Sequence, residues 1–294
     1  MSPSRMLSSL SPKVADKEKI EIAESTPTQG LEGSFHWFQQ VSTGDEDLPV
    51  EKGVLLPEPM NQVHLIGGEK GGVGKSVMSR AFAQYCIDRQ IPFQGFDSDR
   101  SHGSFQRFYQ DFTRHVALED FQSLDQLAES ALRGEGLQVI VDLAAQSSTS
   151  LRGWMDDTGV LELFREAGVM VNCWHILDDG RDSLEMLGRL LEDFKTEARY
   201  VVVLNHGRGA RFDAFHSSPQ KIRAIELGAK IIEMPKLHEA SMRLVDHTNS
   251  SFWAATNPGE DGSQLLGILE RQRVKIWLRK LYSELDQLNL RPGH

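Results

Sequence analysis

One glycine-rich segment limits the fold of this chain more than any other feature. Residues 67–76 read Gly-Gly-Glu-Lys-Gly-Gly-Val-Gly-Lys-Ser, between an apolar run at 63–66 and a helical pattern at 76–89. Glycines allow the backbone to curl so that successive N–H groups point inward, and the N-terminus of the following helix adds its positive end. In such a loop Lys75 would reach the β- and γ-phosphates of a nucleotide, and Ser76 would offer its hydroxyl to Mg²⁺. The segment therefore predicts a strand, a phosphate-binding loop and a helix in this order.

Short apolar runs alternate with amphipathic segments from Gln62 onward. The runs are rich in β-branched or aromatic side chains and lie at 63–66, 92–96, 137–141, 169–175, 200–204 and 230–232. Helical patterns fall between them at 76–89, 123–132, 151–166, 181–194 and 221–227, and a last one covers 264–288. Such runs are typical of buried parallel strands, and the alternation favours right-handed crossovers. We therefore predict an α/β fold with a doubly wound, mostly parallel sheet and helices on both faces.

The composition excludes some classes of protein. No apolar run among the 294 residues approaches the roughly 18–20 needed to cross a bilayer, so an integral membrane protein is excluded. The first residues lead into Ser and Pro, and we expect no secretory signal. Cys86 and Cys173 cannot form a disulfide framework or a zinc cluster by themselves, so we expect reduced, mostly buried thiols. A net charge of −10 argues against nucleic acid bound over the whole surface and leaves a local basic patch open.

The chain divides into four segments. Residues 1–34 contain no aromatic side chain and are rich in Ser, Pro, Thr, Glu and Lys, which predicts a flexible tail. Residues 35–60, a linker or docking segment, begin with an aromatic cluster of Phe35, Trp37 and Phe38. The predicted phosphate-binding domain covers 61–262, and a C-terminal amphipathic helix covers 263–294.

The loop resembles that of the ParA/MinD family of deviant Walker A ATPases. The resemblance rests on a second lysine inside the loop and on the residues after it: Lys70, Gly71, Gly72, Val73, Gly74, Lys75 and Ser76. Glu69 stands where the strict phosphate-loop pattern has Gly, at a position that varies in this family. The resemblance implies bound ATP and Mg²⁺, and a homodimer that sandwiches ATP. It also implies that Lys70 crosses to the partner's nucleotide and stabilises charge on the transferring phosphoryl group. Within a single subunit the sequence shows no obvious partner for Lys70.

Two acidic stretches match the family in the same order. Asp97 and Asp99 follow the second predicted strand and resemble the Asp-x-Asp of the family's switch I. The resemblance implies that Asp99 orients or activates the attacking water and that Asp97 lies in the Mg²⁺ shell, while a solvated turn with two acids is the alternative. Asp142 closes the third predicted strand as a Walker B carboxylate does, which implies that it holds Mg²⁺ through water. Ala144 and Ala145 follow where the family often has Pro or Gly, so the switch II contacts stay open.

Two later residues indicate the base side of the site. Asn205 ends the fifth predicted strand and resembles the family residue whose amide reads adenine, although Asn is also common at strand ends. Pro235 resembles the proline of the family's loop beside the base. No acid near Asn205 matches a Lys-x-Asp guanine reader, which favours ATP. Neither cysteine stands where the family's iron proteins hold a cluster, so an iron–sulfur reductase is not expected.

The C-terminal helix combines an apolar stripe with a basic first half. The stripe has the heptad-like spacing of four, three, four and three residues and consists of Val274, Leu278, Leu281, Leu285 and Leu288. The basic residues are Arg271, Arg273, Lys275, Arg279 and Lys280. The stripe would pack on its own domain or on a dimer partner. Alternatively, the helix would lie on a membrane surface, as in MinD-like proteins, or contact DNA non-specifically.

These observations together predict an Mg-ATP-dependent, dimerising ATPase that positions or partitions a cargo such as a plasmid, a transfer apparatus or a polar complex. Hydrolysis would be slow and stimulated by a partner protein. Residues 96–105 look more like ParA-like ATPases encoded with plasmid mobilisation and conjugal transfer than like the partition branch, whose proline is replaced by Arg100. The alternative is a nucleotide-gated structural or regulatory subunit that binds ATP with little turnover. We expect a cytoplasmic protein, with the nucleoid or the membrane as surfaces for peripheral attachment.

Overall fold

The computed structural model describes residues 60–100, 103–133, 135–259, 262–288 and 290. The predicted tail at 1–34, and the predicted docking segment with its aromatic cluster, lie outside the described residues apart from Met60. Among the helices of the described ranges, none is both long enough and apolar enough to cross a membrane.

Seven strands form one parallel sheet. In chain order they are β1 (Gln62–Gly67), β2 (Phe93–Asp97), β3 (Thr113–His115), β4 (Gln138–Asp142), β5 (Met170–Leu177), β6 (Arg199–Asn205) and β7 (Lys230–Met234). Their order across the sheet is β3-β2-β4-β1-β5-β6-β7, and every neighbouring pair is parallel. All strands therefore end at the same edge of the sheet, where ligands bind in folds of this type.

Helices connect the strands. In chain order they are α1 (Lys75–Arg89), α2 (Ser104–Phe108), α3 (Phe121–Arg133), α4 (Ser148–Thr158), α5 (Val160–Glu166), α6 (Arg181–Phe194), α7 (Asp213–His216), α8 (Pro219–Glu226), α9 (Glu239–His247), α10 (Phe252–Thr256) and α11 (Ile268–Leu285). A short 3₁₀ turn at Asp286–Leu288 follows α11.

The core consists of two apolar layers, one on each face of the sheet. Because side chains alternate along a strand, Ile140 of β4 packs with α1, α10 and α11, while Val139 and Val141 pack with α3, α4 and α6. The doubly wound, parallel α/β fold predicted from the sequence is confirmed. Both cysteines are buried, free thiols, one in each layer, as predicted.

Two local features differ from the sequence predictions. The helix predicted at 151–166 is split into α4 and α5 by Gly159, whose φ of 63° lies in the left-handed region that a helix excludes. The edge strand β3 was not predicted, because its three residues contain no apolar run and two of them are exposed.

The C-terminal helix α11 packs on its own domain. The stripe residues Val274, Leu278, Leu281 and Leu285 are buried in the same layer as α1, and Leu288 packs against it. Of the alternatives left open by the sequence, the structure supports packing within the subunit. The stripe is thereby removed from any surface that a membrane or DNA would touch.

Candidate nucleotide site

The phosphate loop lies between β1 and α1, at the centre of the sheet's carboxyl edge. Three of its glycines, Gly68, Gly72 and Gly74, have φ angles of 139°, 76° and 104°, which side chains disfavour. Gly74 is also the residue before α1, and a Cβ atom there would lie 2.4 Å from the side-chain nitrogen of Asn205. The curl predicted from the glycine spacing is therefore present, and Asn205 at the end of β6 packs against it.

Lys75 lies inside this loop. Its Nζ donates to the carbonyl oxygens of Gly68 at 2.9 Å and Lys70 at 3.0 Å, so the ammonium lies across the mouth of the curl. Burial lowers the pKa of Lys75, and the charges of Asp142, Glu69 and Asp99 oppose this shift. A buried ammonium with a third donor to spare is chemically suited to a phosphate oxygen.

Asp142 is a buried carboxylate without a bonded partner at the end of β4. Within the described part of the chain no donor meets hydrogen-bond geometry at either oxygen, although the Ser76 and Ser79 hydroxyls lie close enough to lower its pKa as weak donors. Burial, and next the charge of Asp97, raise the pKa of Asp142 to about 7. A buried, unsatisfied carboxylate is costly unless a cation or a donor completes it. Together with the Ser76 hydroxyl it offers the hard oxygen ligands that Mg²⁺ prefers, so these residues fit the ion.

Asp97 is engaged by the backbone of the loop that follows it. One oxygen accepts from the Asp99 N–H at 3.0 Å, and the other accepts from the N–H groups of Phe105 at 2.8 Å and Gln106 at 2.9 Å. This geometry gives Asp97 the role of holding the Asp99 backbone and the first turn of α2 in place, while its part in an Mg²⁺ shell stays a prediction. Asp99 is half-buried beside it, near enough to Lys75 to influence the lysine's pKa.

Lys70 has a partner within its own subunit, contrary to the expectation from the sequence. Its Nζ lies 2.7 Å from Oδ2 of Asp178, in the loop after β5. The hydrogen bond to Asp178 raises the pKa of Lys70, and the charges of Asp178, Asp182 and Asp179 add to the effect. Gly180 permits this approach, because a Cβ atom there would lie 2.9 Å from the Lys70 Nζ.

A cavity of ≈ 500 Å³ opens beside the loop on the β6–β7 side, which is the side that the sequence predicted for the base. Asn205 and Pro235 both line it, with Gly74, Arg208 and Trp277 among the others. The Asn205 amide donates to the Val73 carbonyl at 2.7 Å and accepts from the Gly207 N–H at 2.8 Å. It therefore braces the phosphate loop, and base reading by this amide stays a prediction.

Three further residues of the site were missed by sequence reasoning. Glu69 accepts from the Ser148 N–H at 3.1 Å and so ties the phosphate loop to the start of α4. Asp178 pairs with Lys70, and Trp277 donates to the Pro235 carbonyl at 2.6 Å. Glu69 departs from the glycine pattern, and this departure was a signal for its contact with Ser148. The sequence around Asp178 and Trp277 contains no signal for the contacts that these two residues make.

Comparison with known proteins gives distant relatives. No family model matches the chain. Protein MobD of Acidithiobacillus ferrooxidans is 25% identical over 180 residues, which cover 60% of this chain and 78% of MobD. Protein TraL of Escherichia coli is 25% identical over 242 residues, which cover 77% of this chain and 98% of TraL.

Two of the solved structures that match the chain do so with a TM-score of 0.41. The MinD cell division protein of Aquifex aeolicus matches with a TM-score of 0.41 and 14% identity, over 76% of this chain and 97% of MinD. A nucleotide-binding protein from Archaeoglobus fulgidus, in complex with ADP, matches with a TM-score of 0.41 and 13% identity, over 64% of this chain and 86% of the other.

The resemblance predicted from the motifs is confirmed. The phosphate loop follows the central strand of a parallel sheet, with Lys75 inside the loop, Lys70 at its rim and Asp142 at the end of β4. The sequence matches cover 60% of the chain for MobD and 77% for TraL. The chain thus keeps the loop motif that resembles the ParA/MinD family, and MobD and TraL are among its relatives in sequence.

Proposed function

We propose that this chain binds Mg-ATP, dimerises around it and hydrolyses it slowly until a partner protein stimulates the reaction. The observation that carries the proposal is the burial of two groups at the loop, Lys75 and Asp142. Within the described residues the Lys75 ammonium bonds only to backbone carbonyls, the Asp142 carboxylate accepts no hydrogen bond, and the charge of each influences the pKa of the other. This arrangement is costly in the free protein, and a metal-bound triphosphate would satisfy both groups.

The residues of this chain divide the work as follows. Lys75 and the N–H groups of Gly71, Gly72, Val73 and Gly74 hold the phosphates. Ser76 and Asp142 hold Mg²⁺, which when bound offsets negative charge on the β- and γ-phosphates. Asp99 orients the attacking water from the rim of the site, and Asp97 keeps the Asp99 backbone in position through its 3.0 Å hydrogen bond.

Dimerisation brings Lys70 to the nucleotide of the partner subunit. In the free subunit Lys70 is paired with Asp178, so the crossing requires that this ion pair opens. The gain is a second cation on the transferring phosphoryl group, which also offsets repulsion between two nucleotides brought face to face. Hydrolysis then depends on assembly of the dimer.

The cellular role that we propose is the positioning or partitioning of a cargo, such as a plasmid, a transfer apparatus or a polar complex. Similarity to MobD and TraL supports the mobilisation and transfer branch of ParA-like proteins. The protein would act in the cytoplasm, with an activating partner protein. Attachment to DNA or membrane would use the basic side chains of α11 without its buried apolar stripe.

Nucleotide binding is tested by thermal unfolding with Mg-ATP. A ligand that binds the folded state raises stability as RT ln(1 + [L]/Kd). We expect stabilisation of the unchanged protein and of the control Lys280→Ala, whose lysine is exposed, and none of Lys75→Ala. Equal stabilisation of Lys75→Ala would rule out the proposed site.

Hydrolysis in trans is tested by mixing two inactive variants. Asp99→Ala should bind ATP and accumulate as a dimer, and Lys70→Ala should bind ATP and stay monomeric. In the mixed dimer, the Lys70→Ala subunit keeps its own Asp99 and receives Lys70 from its partner, so one site should recover phosphate release. Heterodimers without activity would contradict action in trans. ATP binding and dimerisation with no phosphate release by the unchanged protein, with or without candidate partners, would favour the nucleotide-gated regulatory subunit.

A further inference from the structure

The end of β7 forms one wall of the cavity beside the phosphate loop. Met234 is the last residue of this strand, and residues 235–238 run from it into α9 without regular structure. Met234, Pro235, Lys236 and Leu237 all line the cavity. A loop of this kind needs contacts from outside to keep one conformation, because its own backbone forms no ladder.

Helix α11 holds this strand end at two points. The indole Nε1 of Trp277 donates to the Pro235 carbonyl at 2.6 Å. Oε2 of Glu284, about two turns further along α11, accepts from the Glu233 N–H at 3.2 Å. Because β7 is the last strand of the described sheet, its outward N–H groups face no other described strand, and the Glu284 carboxylate supplies an acceptor there. The two hydrogen bonds bracket Met234, so the position of α11 determines where the loop begins.

The indole itself is fixed by its surroundings. Trp277 is 4% exposed, and its ring lies 5.2 Å from that of Phe252. The Arg80 guanidinium lies 5.1 Å from the Phe252 ring centroid and pairs with Asp246 of α9 at 2.8 Å. These contacts form a row from Trp277 through Phe252 and Arg80 to Asp246. Both ends of the row, Trp277 and Asp246, line the cavity. The N–H of Trp277 is thus a rigid donor aimed at the loop.

We propose that Trp277 is a positioning residue for the base of the bound nucleotide and that α11 thereby senses whether the base is present. The inference rests on the proposed nucleotide site. Trp277 holds residues 235–238, the part of the cavity wall that a base would contact. Lys75 binds the phosphates instead, so the two residues act on different parts of the nucleotide. Its loss should therefore weaken the part of the affinity that comes from the base and leave the part from the phosphates intact.

Two ligands separate these parts: Mg-ATP, and Mg-tripolyphosphate, which has the phosphate chain without sugar or base. Trp277→Phe keeps an aromatic ring in the layer and removes the N–H donor. The matched control is Trp253→Phe, because Trp253 lies on α10, is half exposed and is absent from this cavity. We expect calorimetric titration to give about threefold to tenfold weaker ATP binding for Trp277→Phe, the range of one hydrogen bond. Tripolyphosphate binding should stay unchanged, and Trp253→Phe should bind both ligands normally.

Each other result overturns a stated part of the proposal. Equal weakening for both ligands would show general damage to the site, and unchanged ATP binding would remove Trp277 from base positioning. If the unchanged protein binds tripolyphosphate and ATP equally well, no base site exists beside the loop. Absence of both would overturn the proposed function itself and the inference with it. Hydrogen exchange on the unchanged protein gives a check that needs no variant: ATP, and not tripolyphosphate, should protect residues 235–238 and α11.

Discussion

At the scale of single residues, two neighbouring carboxylates differ in their surroundings although both are buried. Asp97 and Asp142 are register partners on β2 and β4. Asp97 accepts three backbone N–H bonds, whereas the oxygens of Asp142 accept none. The sequence predicted that both acids stand at the strand ends, because each closes an apolar run. It could not predict that only Asp97 is hydrogen-bonded, because the N–H donors come from a later segment whose path depends on tertiary packing.

Substitution of these two acids should change stability in opposite directions. Without nucleotide and Mg²⁺, and at a pH above the Asp142 pKa of about 7, Asp142→Asn should raise the free energy of unfolding by about 1–3 kcal/mol, because a buried charge that accepts no hydrogen bond is removed. Asp97→Asn should lower it, because an amide nitrogen would meet backbone donors. Urea unfolding in the presence of a chelator measures both effects. Asp142→Asn should also lose stabilisation by Mg-ATP, and a less stable Asp142→Asn protein would contradict the assignment.

The pair of Lys70 and Asp178 gives a second prediction at this scale. Asp178→Asn weakens the ion pair in the free subunit, and Lys70 becomes available to the partner subunit at lower cost. Because Lys70 is about a third exposed, the pair is screened and contributes about 1 kcal/mol or less. The ATP concentration that gives half-maximal dimer should therefore fall by up to about fivefold in sedimentation velocity experiments. The control is Asp179→Asn, whose carboxylate accepts from the Ala210 N–H. A dimer of unchanged or weaker stability would show that Asp178 does not restrain Lys70.

At the scale of elements, the strands were predictable where an apolar run and a following motif coincide. The six predicted strands are present, and α6 has the predicted bounds, because continuous apolar runs and period-3.6 patterns report burial directly. Gly159 was visible in the sequence, but its left-handed φ, which splits α4 from α5, is a property of the backbone path. The contacts Glu69–Ser148 and Lys70–Asp178 join residues far apart in the chain, so no local pattern could specify them.

Strand β1 carries a polar residue whose titration should be visible in stability. His64 is fully buried, with Nε2 bonded to Gln138 at 2.9 Å and Nδ1 accepting from Trp174 at 3.1 Å. Burial lowers the pKa of His64 to about 4, against the opposing effect of the Gln138 hydrogen bond. In the unfolded chain His64 therefore binds a proton below about pH 6.5, whereas in the folded protein it binds one only below about pH 4.

The free energy of unfolding should consequently fall as the pH drops from 6.5 towards 4, by about 1 kcal/mol per pH unit from His64 alone. In His64→Gln this slope should shrink by the equivalent of one proton. His175, whose pKa burial also lowers to about 4, should keep its own contribution. Urea unfolding at several pH values measures the slope, and His115→Gln, with an exposed histidine on β3, serves as control. An unchanged slope in His64→Gln would mean that His64 takes up its proton over the same pH range in the folded protein as in the unfolded chain.

At the scale of the whole molecule, α11 completes the domain. The sequence predicted an apolar stripe on this helix and could not name the surface that receives it, because period alone does not identify a partner. The structure gives the surface as the layer that also contains α1 and α10. The remaining exposed apolar residues of the helix include Ile268, Leu269 and Ile276, two of them in its first turn. Any further surface contact of α11 would therefore lie near its N-terminal end, beside Arg271 and Arg273.

A core substitution on α11 distinguishes packing within the subunit from packing across a dimer. Leu281 is 0% exposed, so Leu281→Ala should lower the free energy of unfolding by about 2–5 kcal/mol through lost burial and the cavity left behind. Because the leucine packs within its own subunit, this loss should be the same at low and high protein concentration, with no nucleotide present. Ile276→Ala is the matched control, since Ile276 lies on the same helix and is 41% exposed; its effect should stay within about 1 kcal/mol. Urea unfolding over a hundredfold range of protein concentration provides the measurement. A loss that depends on concentration would place the stripe at a dimer interface, and equal effects of the two variants would show that α11 is not part of the core.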